Sequence, residues 1–493
     1  MTKDITMADA AGKPPPPHVL MLPYPLQGHV IPFVNLAVKL AAAGFTVTFI
    51  NTDYIHRQIS SSAGGGGDLF AEARKSGLDI RYTTVSDGFP VEFDRSLHHD
   101  QFFEGIVHVF SAHVDELVGN LRRRDPSIGG MIFDTFYVWP SAIAEKHNLA
   151  NISFFTEPAL VFTLYYHIDL LRRHRHFAAS ENREDAIDYI PGVKSIMPTD
   201  LMSYLQAKID INTTPHRIIQ KAFNDVKKAD FILCNTVDEL EPDTIAALRR
   251  RQPFYAVGPI FPPTFTATGI ATSFWSESDC ADWLAAKPSR SVLYVSFGSY
   301  AHASRREIAE IAGGLALSGV DFIWVLRPDI VSSGETDILP AGFEEEMAAS
   351  GRGLVVPWCR QMAVLANPAV GGFLTHCGWN SILESIWCGI PMICYPLLTD
   401  QFTNRKLVVD DLKIGINLCD GRRYSESNGD GDCVVWREGV CEKIKRLMSS
   451  ELQKEVIQVR KVLEEAAMDG SSARNFQCFL RDLKGKIAAN NNN

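Results

Sequence analysis

This 493-residue sequence is short of positive charge: 48 Lys and Arg stand against 58 Asp and Glu, a formal net charge of −10. A chain of that balance lacks the sequence-independent attraction on which nucleic-acid and anionic-membrane binders rely, so neither partner is expected. Uninterrupted apolar runs are missing too. None approaches the roughly 20 residues of a membrane span, and the leader Met1–Pro17, which mixes Asp4, Asp9 and Lys13 with prolines, has no apolar core of secretory type. The leader reads as a disordered extension, and no membrane insertion is expected. The ten cysteines include no C-x-x-C pair, which argues against structural zinc and thioredoxin-like chemistry and fits reduced thiols in a cytoplasmic protein. Also missing is a G-x-G-x-x-G turn after the first strand-like run, which makes a nucleotide-linked dehydrogenase a poor fit.

The proportions that remain are globular, with 46% hydrophobic and 22% charged residues, and the length exceeds what one core usually supports. His18 to Leu22 is a short apolar run, Val30 to Ala43 has helical period with a stop at Gly44, and Phe45 to Ile50 is β-like again: one βαβ unit. Further strand-like runs stand at Gly130 to Phe133, Asn151 to Phe155 and Asp230 to Cys234. The Pro- and Thr-rich stretch Gly258 to Thr268 breaks the alternation and reads as a linker. Runs at Ser291 to Phe297, Phe322 to Leu326, Leu354 to Val356, Gly372 to Thr375 and Pro391 to Tyr395 then alternate with helices such as Ser304 to Leu317 and Ser381 to Cys388. The expected fold is α/β, with two doubly wound Rossmann-like domains, each offering the carboxyl ends of its strands to ligands. The expected division is 18–257, a linker 258–280, 281–469, and a C-terminal helix and tail 470–493 packing back on the first domain. Gly64 to Gly67, with no strand before it and no helix start after it, reads as a loop rather than a phosphate cradle.

The densest chemistry lies between Trp358 and Gln401. His376, Gly378, Trp379, Asn380 and Ser381 fall between the end of one strand and the start of a helix, where free N–H groups and the helix dipole attract phosphate. The same spacing also makes Ser381 and Glu384 a capping box that needs no ligand, and spacing alone leaves both readings open. Asp400 and Gln401 either open the next helix, Phe402 to Asp410, or face a ligand. In the first domain His29 follows the turn Pro23 to Gly28, at a helix N-terminus whose dipole disfavours the imidazolium. Asp134 ends the run Gly130 to Phe133 on the same sheet edge, as a helix cap or as the partner of His29. Together the pair fits general-base chemistry: His29 takes a hydroxyl proton, and Asp134 accepts the other ring N–H and stabilises the imidazolium. Phe89, Phe136, Tyr137, Phe154 and Phe155 are candidates to line an apolar acceptor cavity, though aromatics in α/β cores more often serve packing. The one D-x-D triplet, Asp430-Gly431-Asp432, lies in a polar run with no strand leading into it and reads as a loop, so no metal site is expected.

The segment from Trp358 through His376-Cys377-Gly378-Trp379-Asn380-Ser381 and Glu384 to Asp400-Gln401 resembles the signature box of plant family-one UDP-sugar glycosyltransferases. The similarity extends to Pro23-Tyr24-Pro25-Leu26-Gln27-Gly28-His29, to Phe297-Gly298-Ser299 and to Val257-Gly258-Pro259, and covers nearly the whole chain. It implies two facing domains of GT-B type with the active site in the cleft, the first binding an acceptor and the second a UDP-sugar. By the same resemblance Trp358 stacks on uracil with the Cys359 backbone and Gln361 nearby. His376, Asn380, Ser381 and Ser299 hold the diphosphate, Glu384 takes the ribose, and Trp379, Asp400 and Gln401 bind the sugar. Thr156 matches a position near the transferred sugar, with a helix-start role as the alternative. Arg360 and Asn367 depart from the family pattern, where Pro and His are common. The implied reaction is inverting transfer of glucose from UDP-glucose, a co-substrate rather than a cofactor, to a small hydrophobic plant metabolite, by a monomeric, metal-independent enzyme. Gln401 at the last box position accompanies glucose in that family. The competing expectations are a ligand-binding protein without catalysis, and transfer of another sugar or to a carboxylate, thiol or carbon.

Overall fold

The computed structural model describes residues 16–62, 69–95, 98–179, 182–206, 213–261, 275–331, 338–419 and 435–492. Gly64 to Gly67, most of the leader, the middle of the linker and Asp430 to Asp432 lie outside these residues. Two parallel sheets organise the chain. The first holds β1 (His18–Leu22), β2 (Thr46–Thr52), β3 (Ile80–Val85), β4 (Ile128–Asp134), β5 (Ala150–Phe155), β6 (Phe231–Cys234) and β7 (Phe254–Ala256), in the order β3-β2-β1-β4-β5-β6-β7. The second holds β8 (Val292–Ser296), β9 (Asp321–Val325), β10 (Gly353–Val356), β11 (Val370–Thr375), β12 (Met392–Cys394) and β13 (Gly415–Asn417), in the order β10-β9-β8-β11-β12-β13. Central strands such as β1, β2, β4 and β11 are buried at every position because helices cover both faces, which explains the apolar runs of β1, β4 and β11, while β2 buries Thr46, Thr48, Asn51 and Thr52 among its apolar residues.

Each sheet therefore has one place where neighbouring strands run on to opposite sides, β1 beside β4 in the first and β8 beside β11 in the second. Such switch points open a crevice beyond the carboxyl ends of the strands. The carboxyl ends of these four strands and the segments that follow them carry His29, Asp134, Ser299 and His376.

Three strands absent from the sequence reading, β3, β7 and β13, all lie at sheet edges. An edge strand has one partner and less burial, so it is shorter or less apolar than a central strand; β7 and β13 have three residues each. The helix expected over Phe402 to Asp410 begins at Gln401 and turns π-helical at Leu407–Asp411, where Leu412 N–H donates to the Leu407 carbonyl at 2.8 Å. The helix Arg305–Ser318 carries a reciprocal capping box: Glu307 N–H bonds Ser304 Oγ at 3.2 Å, and Ser304 N–H bonds the Glu307 carboxylate at 2.9 Å. The last helix, Ser471–Asn491, returns to the first sheet, where Phe476, Phe479, Leu480, Leu483 and Ile487 join the core formed with β1 and β2. Ile487 sits so close to β4 that a Cβ on Gly129 would lie 2.3 Å from it.

Candidate active site

His29 stands in the first turn of the helix Gln27–Ala42, which starts directly after the turn leaving β1. Its Nδ1 lies 2.8 Å from Asp134 Oδ2 and 3.2 Å from Thr156 Oγ1, while the ring lines the cleft. Asp134 is 1% exposed at the end of β4, and its other oxygen accepts Phe136 N–H at 3.0 Å. The carboxylate thus organises a turn, not a helix cap: the next helix begins only at Pro140. Tyr137 Oη donates to the Pro23 carbonyl at 2.8 Å, tying the loop after β4 to the turn that presents His29.

Across the cleft the helix Trp379–Cys388 has Gly378 as its N-cap, so the N–H groups of its first turn point into the crevice. This overturns the capping-box alternative for Ser381 and Glu384, because the helix starts two residues before Ser381. Gln361 Nε2 instead donates to Ser381 Oγ at 2.9 Å and to Glu384 Oε2 at 2.6 Å, and Gln361 Oε1 accepts from Tyr294 Oη at 3.3 Å. Gln361 therefore sets the positions of Ser381 and Glu384 rather than standing free. Burial pushes the Glu384 carboxyl up to about 7, against the opposing Gln361 hydrogen bond. His376 follows β11 with its Nε2 wedged between two glycines. A Cβ on Gly298 would lie 2.4 Å from that atom, and one on Gly378 2.6 Å. Burial, helped by the Arg327 charge, lowers His376 to about 3, so the ring is neutral at any working pH. Arg327 is 1% exposed and grips the turn that carries Ser299 from beneath, donating to the Gly298 carbonyl and, at 2.8 Å, to the Ala301 carbonyl.

Hydrogen bonds join the two domains at the site. Trp379 Nε1 donates to the Asn235 carbonyl at 2.7 Å, and Asn380 Nδ2 to the Gly28 carbonyl at 2.7 Å, one residue before His29. Ser203 N–H meets the Thr399 carbonyl at 3.0 Å, and Thr399 N–H meets Ser203 Oγ at 2.9 Å. Next to Thr399, Asp400 accepts from Thr399 Oγ1 at 2.8 Å and from Asn404 Nδ2 at 2.5 Å, and burial raises its carboxyl. Gln401 Oε1 takes the N–H groups of Leu397 and Leu398 at 2.8 and 2.9 Å, which leaves its amide nitrogen as the group able to meet a ligand. Trp358 lines the cleft opposite Trp275, with ring centroids 6.4 Å apart. The departure at Arg360 has a local role: its Nε pairs with Glu277 at 3.0 Å, while Ser278 N–H donates to the Trp358 carbonyl at 2.9 Å, which ties the end of the linker to the loop of Trp358.

The cleft between the domains is one cavity of about 1330 Å³, lined by His29 and Thr156 on one side and by Trp358, His376, Glu384 and Gln401 on the other, larger than the roughly 300–1,000 Å³ of a site for one small molecule. Its apolar lobe is lined by Phe102, Phe136, Tyr165, Ile218 and Ile219. Of the five aromatics expected there only Phe136 takes part. Phe154 and Phe155 lie within β5, under helices, at 0% and 1% exposure. Tyr137 turns back to Pro23, and Phe89 packs on Phe93 and against Gly105.

The family described as UDP-glucoronosyl and UDP-glucosyl transferase matches residues 233–415. UDP-glycosyltransferase 86A1 of Arabidopsis thaliana is 60% identical over 482 residues, covering 96% of this chain and 95% of that protein. The chain belongs to the plant family-one UDP-glycosyltransferases. A second Arabidopsis relative of this UDP-glycosyltransferase, 86A2, is 56% identical over 477 residues, with 96% of each chain covered. A solved structure of Medicago truncatula UGT71G1 complexed with UDP-glucose superposes on it with a TM-score of 0.77 at 25% identity, covering 95% of this chain and 98% of that one.

Four groups of this UDP-glycosyltransferase site were not anticipated: Arg327, Tyr294, Asn235 and Glu157. Arg327 had a visible signal, a lone cation immediately after the apolar run Phe322 to Leu326 at a strand's carboxyl edge. Tyr294 and Asn235 act through contacts with residues distant in sequence, which no local spacing reveals. Among the described residues no group of three or more His, Cys, Asp or Glu side chains is placed to hold a metal ion, and no helix is long and apolar enough to cross a membrane.

Proposed function

We propose that this UDP-glycosyltransferase transfers glucose from UDP-glucose to a hydroxyl of a small hydrophobic plant metabolite, with inversion at the anomeric carbon. The observation that carries the reading is the 2.8 Å contact between His29 Nδ1 and Asp134 Oδ2 beside a cavity large enough for two substrates. With Nδ1–H held by Asp134, the lone pair of Nε2 is free to take the acceptor's hydroxyl proton. The acceptor oxygen then bonds to the anomeric carbon as the bond from that carbon to the UDP oxygen breaks, and Asp134 stabilises the imidazolium until the proton is released.

In this reading Trp358 stacks on uracil beside the Cys359 backbone, and Glu384, set by Gln361, takes the ribose hydroxyls. The diphosphate sits between Ser299, His376, Gly378, Asn380 and Ser381. The N-termini of the helices Gln27–Ala42 and Trp379–Cys388 meet there through Asn380 and Gly28, so two helix dipoles face the charge that develops on UDP, while Arg327, paired with Asp329 at 2.9 Å, holds the Ser299 turn in place. We assign that charge to these groups rather than to a divalent ion, and no cofactor is assigned a step. Asp400, the Gln401 amide, Trp379 and Thr156 surround the sugar. Glucose is favoured by Gln401 and by the UDP-glucose bound to the Medicago relative. Both halves of the site come from one chain, which supports action as a monomer. The nine free cysteines among the described residues suit the cytoplasm.

The test is incubation of the purified protein with UDP-glucose and a mixed panel of plant phenolics, terpenoids and hormones. Products are followed by mass spectrometry and their anomeric configuration is read by NMR. A β-glucoside formed by the wild type and not by His29→Ala is the expected result. A wild type that prefers UDP-galactose, UDP-xylose or UDP-glucuronate would refute the donor, and a retained α-linkage would refute the mechanism.

A further inference from the structure

Glu157 follows Thr156 beyond the end of β5, and no role in the fold accounts for its side chain. The helix Ala159–Tyr166 that begins two residues later is capped by a different acid: Glu241 accepts the N–H groups of Ala159 at 2.9 Å and Leu160 at 2.7 Å and is itself held by Thr236. The Glu157 carbonyl accepts Cys234 Sγ at 3.2 Å, which fixes the backbone. Glu157 is part of the cleft lining, and its Oε2 is buried with no hydrogen-bond partner among the described residues. A buried polar atom left unpaired is destabilising, and one in the wall of a substrate cavity recovers that cost when a substrate supplies the partner.

We propose that Glu157 is a specificity-determining residue whose carboxyl bonds a hydroxyl of the bound substrates where donor sugar and acceptor adjoin, in the stretch of cleft wall that holds Thr156 and His29. The proposal rests on the reading of the cleft as the transfer site. The titratable groups that interact electrostatically with Glu157 are Asp134 at the end of β4, Asp400 before the helix Gln401–Lys406, Tyr165 on the helix Ala159–Tyr166 and Cys234 at the end of β6. Burial, then the like charges of Asp400 and Asp134, hold the Glu157 carboxyl far above the usual carboxylate range. Burial likewise keeps Tyr165 and Cys234 un-ionised. An un-ionised carboxyl donates one hydrogen bond and accepts others, the same capacity as the hydroxyl it meets. A carboxylate there could only accept, and beside two further acids it would add repulsion.

The test compares the full-length wild type with Glu157→Gln, Glu157→Leu and Glu157→Ala. The amide keeps an uncharged donor and acceptor, whereas the two apolar variants, one bulky and one small, guard against a folding defect in either. Glu157→Gln is expected to keep kcat/KM within about threefold, and both apolar variants to lose about 10–100-fold, with the affinity for UDP alone unchanged. A sugar hydroxyl as partner would raise KM for UDP-glucose with every acceptor and narrow the calorimetric difference between UDP-glucose and UDP. An acceptor hydroxyl would raise KM only for acceptors that carry a second polar group. The proposal is overturned if the apolar variants match the wild type, or if Glu157→Gln is as damaged as they are. A wild type that binds UDP-glucose without transfer would defeat the proposed function, while the binding comparison would still report on Glu157.

Discussion

Replacing Asp134 by Asn changes one atom and sets two demands against each other. In the wild type one carboxylate oxygen takes Phe136 N–H at 3.0 Å and the other takes the His29 Nδ1 proton at 2.8 Å. An amide has only one accepting oxygen. If that oxygen stays on Phe136, the amide NH₂ points at Nδ1, which must then accept, and the ring proton moves to the Nε2 that has to act as base. If the amide flips, NH₂ meets N–H at Phe136 and a buried donor goes unpaired, at about 1–3 kcal/mol. Even in that orientation the charge that supports the imidazolium is gone, a further loss of about 1.5–3 kcal/mol for a charge-assisted bond. Together the two terms predict a fall in kcat of roughly 10²–10⁴. The assay is steady-state turnover at saturating UDP-glucose and acceptor, beside calorimetry of UDP binding and a thermal melt, both expected to be near wild type. The double variant with His29→Ala should be no slower than His29→Ala alone, because the two residues act as a unit. A kcat for Asp134→Asn within threefold of wild type would refute the reasoning.

His29→Ala should reduce transfer by roughly 10²–10⁴ with UDP affinity nearly unchanged; calorimetry showing that affinity collapse would remove the base assignment. Glu384 has its carboxyl raised to about 7, and ribose hydroxyls bind the ionised form, so affinity is full above pH 7 and falls as the carboxyl protonates. Kd for UDP-glucose, whose diphosphate does not titrate in this range, should rise about tenfold from pH 8 to pH 6, and Glu384→Gln should flatten that profile. Arg327→Met strands the buried carbonyls of Gly298 and Ala301, and UDP binding should weaken about 10–100-fold, a loss that an unchanged titration would contradict. Gln401→His removes the carbonyl that holds the Leu397 and Leu398 N–H groups, so kcat/KM for UDP-glucose should fall about tenfold or more and the gap to UDP-galactose should narrow. Equal kinetics with both donors in the wild type would speak against this reading.

The alternation of apolar runs and helical periods was enough to place the central strands, and with them the four carboxyl edges beside which His29, Asp134, Ser299 and His376 stand. Those positions were legible because a parallel strand buried on both faces is apolar throughout, and its first polar neighbour marks the carboxyl edge. The edge strands β3, β7 and β13 lack that signal. Local spacing misled at Ser381, since Ser followed by Glu three residues later reads as a helix start, yet the helix begins at Trp379, with Gly378 as its N-cap, and the two side chains turn to Gln361. The aromatics divided between core and cavity for a geometric reason. Phe154 and Phe155 point to opposite faces of a strand covered on both sides, whereas Phe136 lies two residues past the end of β4 and reaches the cavity. Glu157 adjoins a residue that was singled out, but its isolation shows only once Glu241 is seen to cap the helix in its place.

The return of the helix Ser471–Asn491 to the first sheet sets an order on synthesis. The seven strands of that sheet are complete once Ala256 has left the ribosome, but Phe476, Phe479, Leu480 and Leu483, which share its core, follow more than 200 residues later. At about 5–20 residues per second the first domain waits roughly 10–40 s with that face open. A fragment ending at the linker never closes it. Such a fragment should collect in aggregates unless the C-terminal helix is supplied as a second chain, so the two domains, though separate in their sheets, mature as one unit.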